Sequence, residues 1–174
     1  MTSRFKTSLF ILAALSTAFI LRSVLGHPIW IMTHAMVPTL VEGDLVWVSR
    51  QTPRMGDVVK VRLDSESGIY RLVASEGQHL EINEGTLRID GAMIQAGAAK
   101  SIETVTENCG LQPVTIAQST INERTFVVVP GGHQPLIQVP QGQVYVLGDH
   151  RGEAGDSRQW GPLGIGRIEG VVTR

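Results

Sequence analysis

Cysteine occurs once, at Cys109, which excludes an intrachain disulfide framework and a cysteine-based metal site. Such a lone thiol reads as an inert small side chain. Lysine is nearly as scarce, with only Lys6, Lys60 and Lys100, so no basic cluster exists. The formal net charge of -1 leaves no electrostatic footprint for nucleic acid. The five histidines are dispersed, without a ligand spacing such as His-x-x-x-His, so neither a metal nor another cofactor is expected. Internal repeats and low-complexity tracts are absent. What is present is a hydrophobic content of 43% over 174 residues, enough for one packed domain plus a terminal segment. Nineteen glycines and eight prolines suit short strands and turns better than a helical bundle.

Near the N-terminus Arg4 and Lys6 precede an apolar run from Leu9 to Leu21, interrupted only by Ser16 and Thr17. Alone it is short for a span of about 20 residues. Carried on to Gly26, with Arg22 snorkelling to the interface, it reaches that length. The basic start places that end in the cytoplasm and the remainder outside the membrane. The expectation is an uncleaved signal anchor over residues 1–28, single-pass in the cytoplasmic (inner) membrane. A cleaved signal peptide is the competing reading, since Ser16-Thr17-Ala18 is a small-x-small pattern, but it lies inside the apolar core rather than after it. A buried core helix is a third reading, which the charged start disfavours.

Beyond Leu40 the pattern has period two. Leu45–Val48, Val58–Val61, Ile69–Val73, Thr125–Val129, Gln143–Leu147 and Glu169–Thr173 read as strands. Leu80–Ile82 and Thr86–Ile89, around Asn83-Glu84-Gly85, read as a hairpin. Ala92–Asn122 lacks clear periodicity and reads as loops and short strands, or as one short helix near Ala98–Thr104. Trp47 and Trp160 are expected to be core aromatics. The fold class expected is mainly β: an antiparallel domain over 29–174 with residues 78–141 as an inserted β subdomain, preceded by one transmembrane helix.

Four boxes occur in order: Ala35-Met36-Val37-Pro38-Thr39-Leu40 with Gly43-Asp44; Gly56-Asp57-Val58-Val59; Ile69–Gly77; and Val144–Arg151 with Asp156-Ser157-Arg158-Gln159-Trp160-Gly161. Together they resemble the boxes of the type I signal peptidases, the Ser/Lys proteases that remove signal peptides outside the cytoplasmic membrane. The LexA-type self-cleaving domain, with Ser/Lys chemistry on a related scaffold, is a weaker match, because it lacks the N-terminal anchor and the long fourth box. The resemblance implies an antiparallel β catalytic domain with an inserted region, a Ser nucleophile and a Lys general base. A buried Lys loses its proton near neutral pH and can then take one from a hydroxyl.

Position by position, the resemblance puts the nucleophile at Ala35, the base at Tyr70 and the Ser that supports the base at Ala154. None of these carries the family's group. Thr33 falls on the oxyanion donor and still bears a hydroxyl. Asp156 and Arg158 fall on a structural ion pair, and Met36, Pro38 and Asp149 belong to the boxes around the site. Tyr70 is a poor base, since a phenol ionises near pH 10 and burial raises that further. Lys60, His150 and a Thr33–His34 pair are the remaining candidates for restored chemistry. Lys60 lies on a strand where lysine is usually solvated, and adjacent residues of an extended segment face opposite ways.

Three functions are therefore carried forward. The first is a membrane-anchored, non-catalytic homologue that binds preprotein signal peptides by strand addition or pairs with an active peptidase paralogue. The second is an active peptidase that uses unrecognised residues or whose Ser was substituted. Substitution accounts for Ala35 but for neither Tyr70 nor Ala154. The third is a structural module of a secretion or pilus apparatus. The partners implied are membrane lipid and preproteins.

Overall fold

The alternation that marked the strands sets the architecture. In the computed structural model, which describes residues 7–8, 10–13, 16–17, 26–64, 66–94, 100–105 and 111–174, fourteen strands form three antiparallel sheets. The largest has the order β1(His27–Trp30), β2(Leu45–Ser49), β14(Ile168–Thr173), β3(Val58–Arg62), β4(Ser67–Ser75), β12(Gln143–Leu147) and β13(Leu163–Gly164). Between β4 and β12 the chain leaves this sheet. It forms a four-stranded sheet, β11(Gln134–Gln138), β5(His79–Asn83), β6(Thr86–Ile89) and β7(Ala92–Met93), and a three-stranded one, β10(Arg124–Val128), β9(Leu111–Ile121) and β8(Lys100–Val105).

Side-chain parity distributes the apolar residues over three clusters. Val46 and Val48 of β2 face inward with Ile31, Met36, Leu40 and Val172. Val59, Val61, Tyr70, Leu72, Val144 and Val146 form a second cluster on the large sheet. Val73, Tyr145 and Leu147 pack against Leu80, Ile82, Leu87, Phe126 and Val128 of the smaller sheets, so the segment between β4 and β12 shares a core with the large sheet. The expected hairpin joins β5 to β6 with Asn83 opposite Thr86. Glu84 (φ 48°) and Gly85 (φ 77°) both take the left-handed conformation that a two-residue turn of matching twist requires.

Three expectations are corrected. The helix near Ala98–Thr104 is excluded: Lys100–Val105 is β8, paired along its whole length with β9 from Lys100↔Ile116 to Val105↔Leu111. Ile102, Thr104 and Val105 are β-branched, and pairing with an eleven-residue neighbour overrides the weak local pattern. Trp47 is not a core residue. It is 46% exposed, because the inward parity of β2 is taken by Val46 and Val48. Trp160 lies at the surface as well, 36% exposed. Residues 34–40 of the first box form a turn, and the next strand begins at Leu45.

The N-terminal segment falls mainly outside the described residues. Residues 7–8, 10–13 and 16–17 are helical. Among the described residues no helix is long and apolar enough to cross a membrane. His27 and Pro28, the last two residues assigned to that segment, belong to β1 and pair with Val48 and Trp47.

Candidate active site

The turn at 34–40 is fixed from within and from both flanks. Leu40 N donates to Met36 O at 2.9 Å and Val37 N to His34 O at 3.1 Å. At its base Ile31 N donates to Asp44 O and Gly43 N to Ile31 O, both at 2.9 Å. Met36, Val37 and Leu40 are buried, which pins the turn by its apolar residues, and the Val37–Pro38 peptide is cis. Between them Ala35 turns its carbonyl to the fourth box, where His150 N donates to it at 3.0 Å.

Gly148 is where Ala35 and Ala154 meet. A Cβ built there would overlap the Ala154 methyl and lie 2.6 Å from Ala35 O. Arg71 pairs with Leu147 at the end of the β4–β12 ladder, so Tyr70 lies one step further, beside Gly148. Ala154 is held by its own N–H, which donates to His150 O at 2.9 Å. Positions 35 and 154 thus meet at one glycine, where they offer a carbonyl and a methyl group, and Tyr70 follows Arg71 at the end of the neighbouring ladder.

The Tyr70 ring leans back over Gly68. A Cβ at Gly68 would come within 2.5 Å of Tyr70 Cε2 and 2.6 Å of its hydroxyl. Trp160 meets the ring edge-on, centroids 5.9 Å apart at 72°. Burial, then the charges of Asp156 and Glu66, push the phenol above its ordinary range, so at neutral pH it is a hydrogen-bond donor and no base.

The polar frame around these positions is dense. Arg71 donates from Nε to Asp149 Oδ1 at 2.8 Å and from Nη2 to Oδ2 at 2.5 Å, and Nη1 reaches Gly56 O at 2.7 Å. The Thr39 hydroxyl donates to Asp149 Oδ2 at 2.5 Å, and the guanidinium carbon sits 3.9 Å from the Phe126 ring centroid. Asp156 caps the short helix α1(Ser157–Trp160), receives Arg158 Nε at 2.7 Å and Nη2 at 2.8 Å, and accepts Gly148 N at 3.0 Å. Arg158 in turn donates to Arg151 O at 2.5 Å and Ala154 O at 3.2 Å. Thr39, Gly68 and Arg71 received no role from the sequence. Arg71 was visible only as a matched letter of the third box, and the fit of Tyr70 over Gly68 has no signal in the pattern.

Of the alternative chemical groups, two are engaged by carboxylates away from Ala35. Thr33 is exposed. His34 Nε2 lies 3.3 Å from Glu42 Oε2, and Lys60 is tied to Glu169 at 2.8 Å. His150 is buried and serves Ala35 through its main chain. Among the described residues no group of three or more His, Cys, Asp or Glu could hold a metal ion.

Comparison with known proteins agrees with the four boxes. The family model described as signal peptidase, peptidase S26, matches residues 4–174. A probable signal peptidase I-1 of Synechocystis is 28% identical over 168 residues, covering 88% of this chain and 72% of that protein. Signal peptidase I of Bacillus amyloliquefaciens is 26% identical over 165 residues, covering 91% and 75%. The chloroplast thylakoidal processing peptidase 1 of Arabidopsis thaliana is 28% identical, and this chain spans 44% of its length. A crystal structure of a signal peptidase I from Enterococcus faecalis superimposes with a TM-score of 0.46 at 24% identity, covering 72% of this chain and 100% of that one. With a family model spanning nearly the whole sequence, the chain belongs to the signal peptidase family, peptidase S26.

Proposed function

We propose that this chain is a non-catalytic member of the family, anchored at a membrane, that binds signal-peptide-bearing preproteins or pairs with an active peptidase. The observation that carries the reading is the meeting of Ala35 and Ala154 at Gly148, with Tyr70 next to Arg71 on the adjoining strand: the three positions supply neither a serine hydroxyl nor a lysine amine. Removing a nucleophile together with its base leaves only the residual effect of binding and oxyanion donors. A binding role is supported by a mainly apolar cleft of about 480 Å³ beside the first box, lined by Pro38, Thr39, Val58, Ile116, Phe126 and Val127. Residues 29–174 act in this reading as one unit, with 78–141 as its inserted part.

Membrane association draws support from the sheet edge. Pro28 stands opposite Trp47, and Trp30 opposite Leu45, so these four share one face of the β1–β2 ribbon. Trp30 is 62% exposed and Leu45 48%, with Met32 and Val41 exposed nearby. The apolar N-terminal run ends directly before this ribbon. Aromatic residues at the edge of such a patch suit a membrane interface.

The test is cleavage of a preprotein by the full chain in detergent, beside Ala35→Ser/Tyr70→Lys and the same variant with Ala154→Ser. The unmodified chain is expected to leave the preprotein intact and to retain it in a binding assay, with activity appearing only in the refitted variants. Cleavage at the signal-peptide junction by the unmodified chain overturns the non-catalytic reading. Absence of preprotein binding leaves pairing with a peptidase as the function.

A further inference from the structure

Beside the exposed tryptophan ribbon the large sheet carries a polar hollow. It has a volume of about 480 Å³ and is lined by Gln51, Thr52, Arg54, Asp57, Arg124 and Thr173. The strand register fixes where it lies. Pro28 stands opposite Trp47, and Trp47 opposite Thr173, so the three form one row across β1, β2 and β14 on the same face. Trp47 is half-exposed and Thr173 exposed. The apolar surface of Trp30, Leu45 and Trp47 therefore borders the hollow one strand away.

The charges around it do not cancel. Asp57 is buried and both its oxygens are taken, Oδ2 by Arg54 N at 2.7 Å and Oδ1 by Arg124 Nη1. The side chains of Arg54 and of Arg50, next to Gln51, are exposed and have no ion pair or hydrogen bond among the described residues. Glu123, adjoining Arg124, is the other carboxylate of the segments 50–57 and 121–124, and it is unpaired as well. Arg50, Arg54 and Arg124 thus stand against Asp57 and Glu123, a surplus of one positive charge, while Arg174 is matched by Asp44. A guanidinium has five N–H donors in a fork that fits phosphate oxygens. Arg54 offers all five, and Arg124 all but the one given to Asp57.

We propose that this hollow holds the phosphodiester of an anionic phospholipid headgroup. Arg54 and Arg124 take the phosphate oxygens, and Gln51, Thr52 and Thr173, whose side chains are otherwise unpartnered among the described residues, meet the headgroup hydroxyls. The acyl chains leave along the neighbouring face, past Trp47 and Trp30, at the depth where aromatic rings favour the membrane interface. The site rests on the membrane association proposed above and adds which lipid is selected. One surplus positive charge suits a headgroup of one net negative charge, such as phosphatidylglycerol. A zwitterionic headgroup would bring its own cation to a hollow that already has one in excess. Free phosphate offers the same oxygens but nothing to lie against the ribbon.

The full chain in non-ionic detergent is melted with dihexanoyl phosphatidylglycerol, dihexanoyl phosphatidylcholine or inorganic phosphate at matched ionic strength. A ligand that binds only the folded state raises the melting temperature with its concentration. Phosphatidylglycerol is expected to raise it saturably by several degrees over the other two, and Arg54→Gln is expected to remove the difference. That variant spares the fold, because the Arg54 side chain holds nothing in place, whereas Arg124 neutralises the buried Asp57. Equal melting with all three, or a phosphatidylglycerol effect that survives Arg54→Gln, overturns the proposal. An equal effect of inorganic phosphate assigns the hollow to the free ion and overturns the lipid. Flotation with phosphatidylcholine vesicles tests the membrane reading separately: the unmodified chain and Arg54→Gln are both expected to float. Chain that does not float refutes the anchor, whereas chain that floats and melts alike with all three refutes the headgroup site alone.

Discussion

Gly148 is the residue on which the site converges, and its side of the first box leaves no room for a methyl group. Gly148→Ala drives a Cβ into the Ala154 methyl and towards Ala35 O, a main-chain atom already fixed by His150. Forcing an extra carbon into a packed interior costs about 1–3 kcal/mol. The expected outcome is a loss of that size in urea unfolding, relieved in part by Ala154→Gly; a neutral Gly148→Ala would show that Ala35 and Ala154 do not close on Gly148. At this scale the sequence was informative where a letter was replaced and mute where two residues adapt to each other. Ala35, Tyr70 and Ala154 are assigned by counting along the boxes, and their roles belong to the proposed function. That Tyr70 rests over Gly68 and against Trp160 could not be read in that way, because it depends on which way a side chain leans along its strand. The same holds for Arg71: its buried pair with Asp149 joins residues 78 positions apart, a separation no local pattern encodes.

At the scale of the element, period two carried most of the reading. β2, β3, β4, β12 and β14 of the large sheet, β10, and the β5–β6 hairpin were legible from alternation and turn chemistry, whereas the short β1 and β13 were not. β8 and β9 were obscure because β9 alternates with polar Ser119 between the buried Ala117 and Ile121, which hides its period from a reading of apolar residues. Parity also explains the error at Trp47, since an aromatic was assumed to be inside although both inward positions of β2 were already valines. The outward face it shares with Trp30 gives a prediction for the membrane reading. The chain has three tryptophans, and Trp160 sits apart from this face, against Tyr70. In vesicles containing lipids brominated on the acyl chains, the fluorescence of Trp30 and Trp47 is expected to be strongly quenched. The Trp30→Phe/Trp47→Phe variant, which keeps only Trp160, is expected to be nearly insensitive. Vesicle-bound chain with unquenched Trp30 and Trp47 rules out lipid contact by this face, and chain that does not float with vesicles rules out the anchor too.

For the molecule as a whole, acid stability follows from three carboxylates held below their ordinary range. Asp44 is lowered by the Val41 N–H and then Arg174, Asp90 by the His79 N–H and then Gln78, and Glu169 by Lys60. Depressed values in the folded state mean that the unfolded chain takes up protons first as pH falls. Their contribution is therefore full above the ordinary values of 3.8 and 4.5 and disappears as pH drops through the lowered ones. All three lie near the surface, where such terms are small and salt-screened. The melting temperature is expected to be flat from neutral pH down to about pH 5 and to fall below about pH 4, less steeply in high salt; a melting temperature that rises on acidification contradicts the assignment.

The order of strands in the large sheet bears on how the polypeptide is made. β14 lies between β2 and β3, pairing through Val171–Thr173 with one and through Ile168–Val171 with the other, yet it is synthesised after every other strand. Until the ribosome has released Ile168–Thr173, β2 and β3 have no common neighbour, and the apolar sides of Val48 and Val59 stay uncovered. The large sheet can therefore close only once Ile168–Thr173 is free to insert between them. A nascent chain stalled before Ile168 would carry two open sheet edges, which makes it a substrate for chaperones rather than a partly working protein.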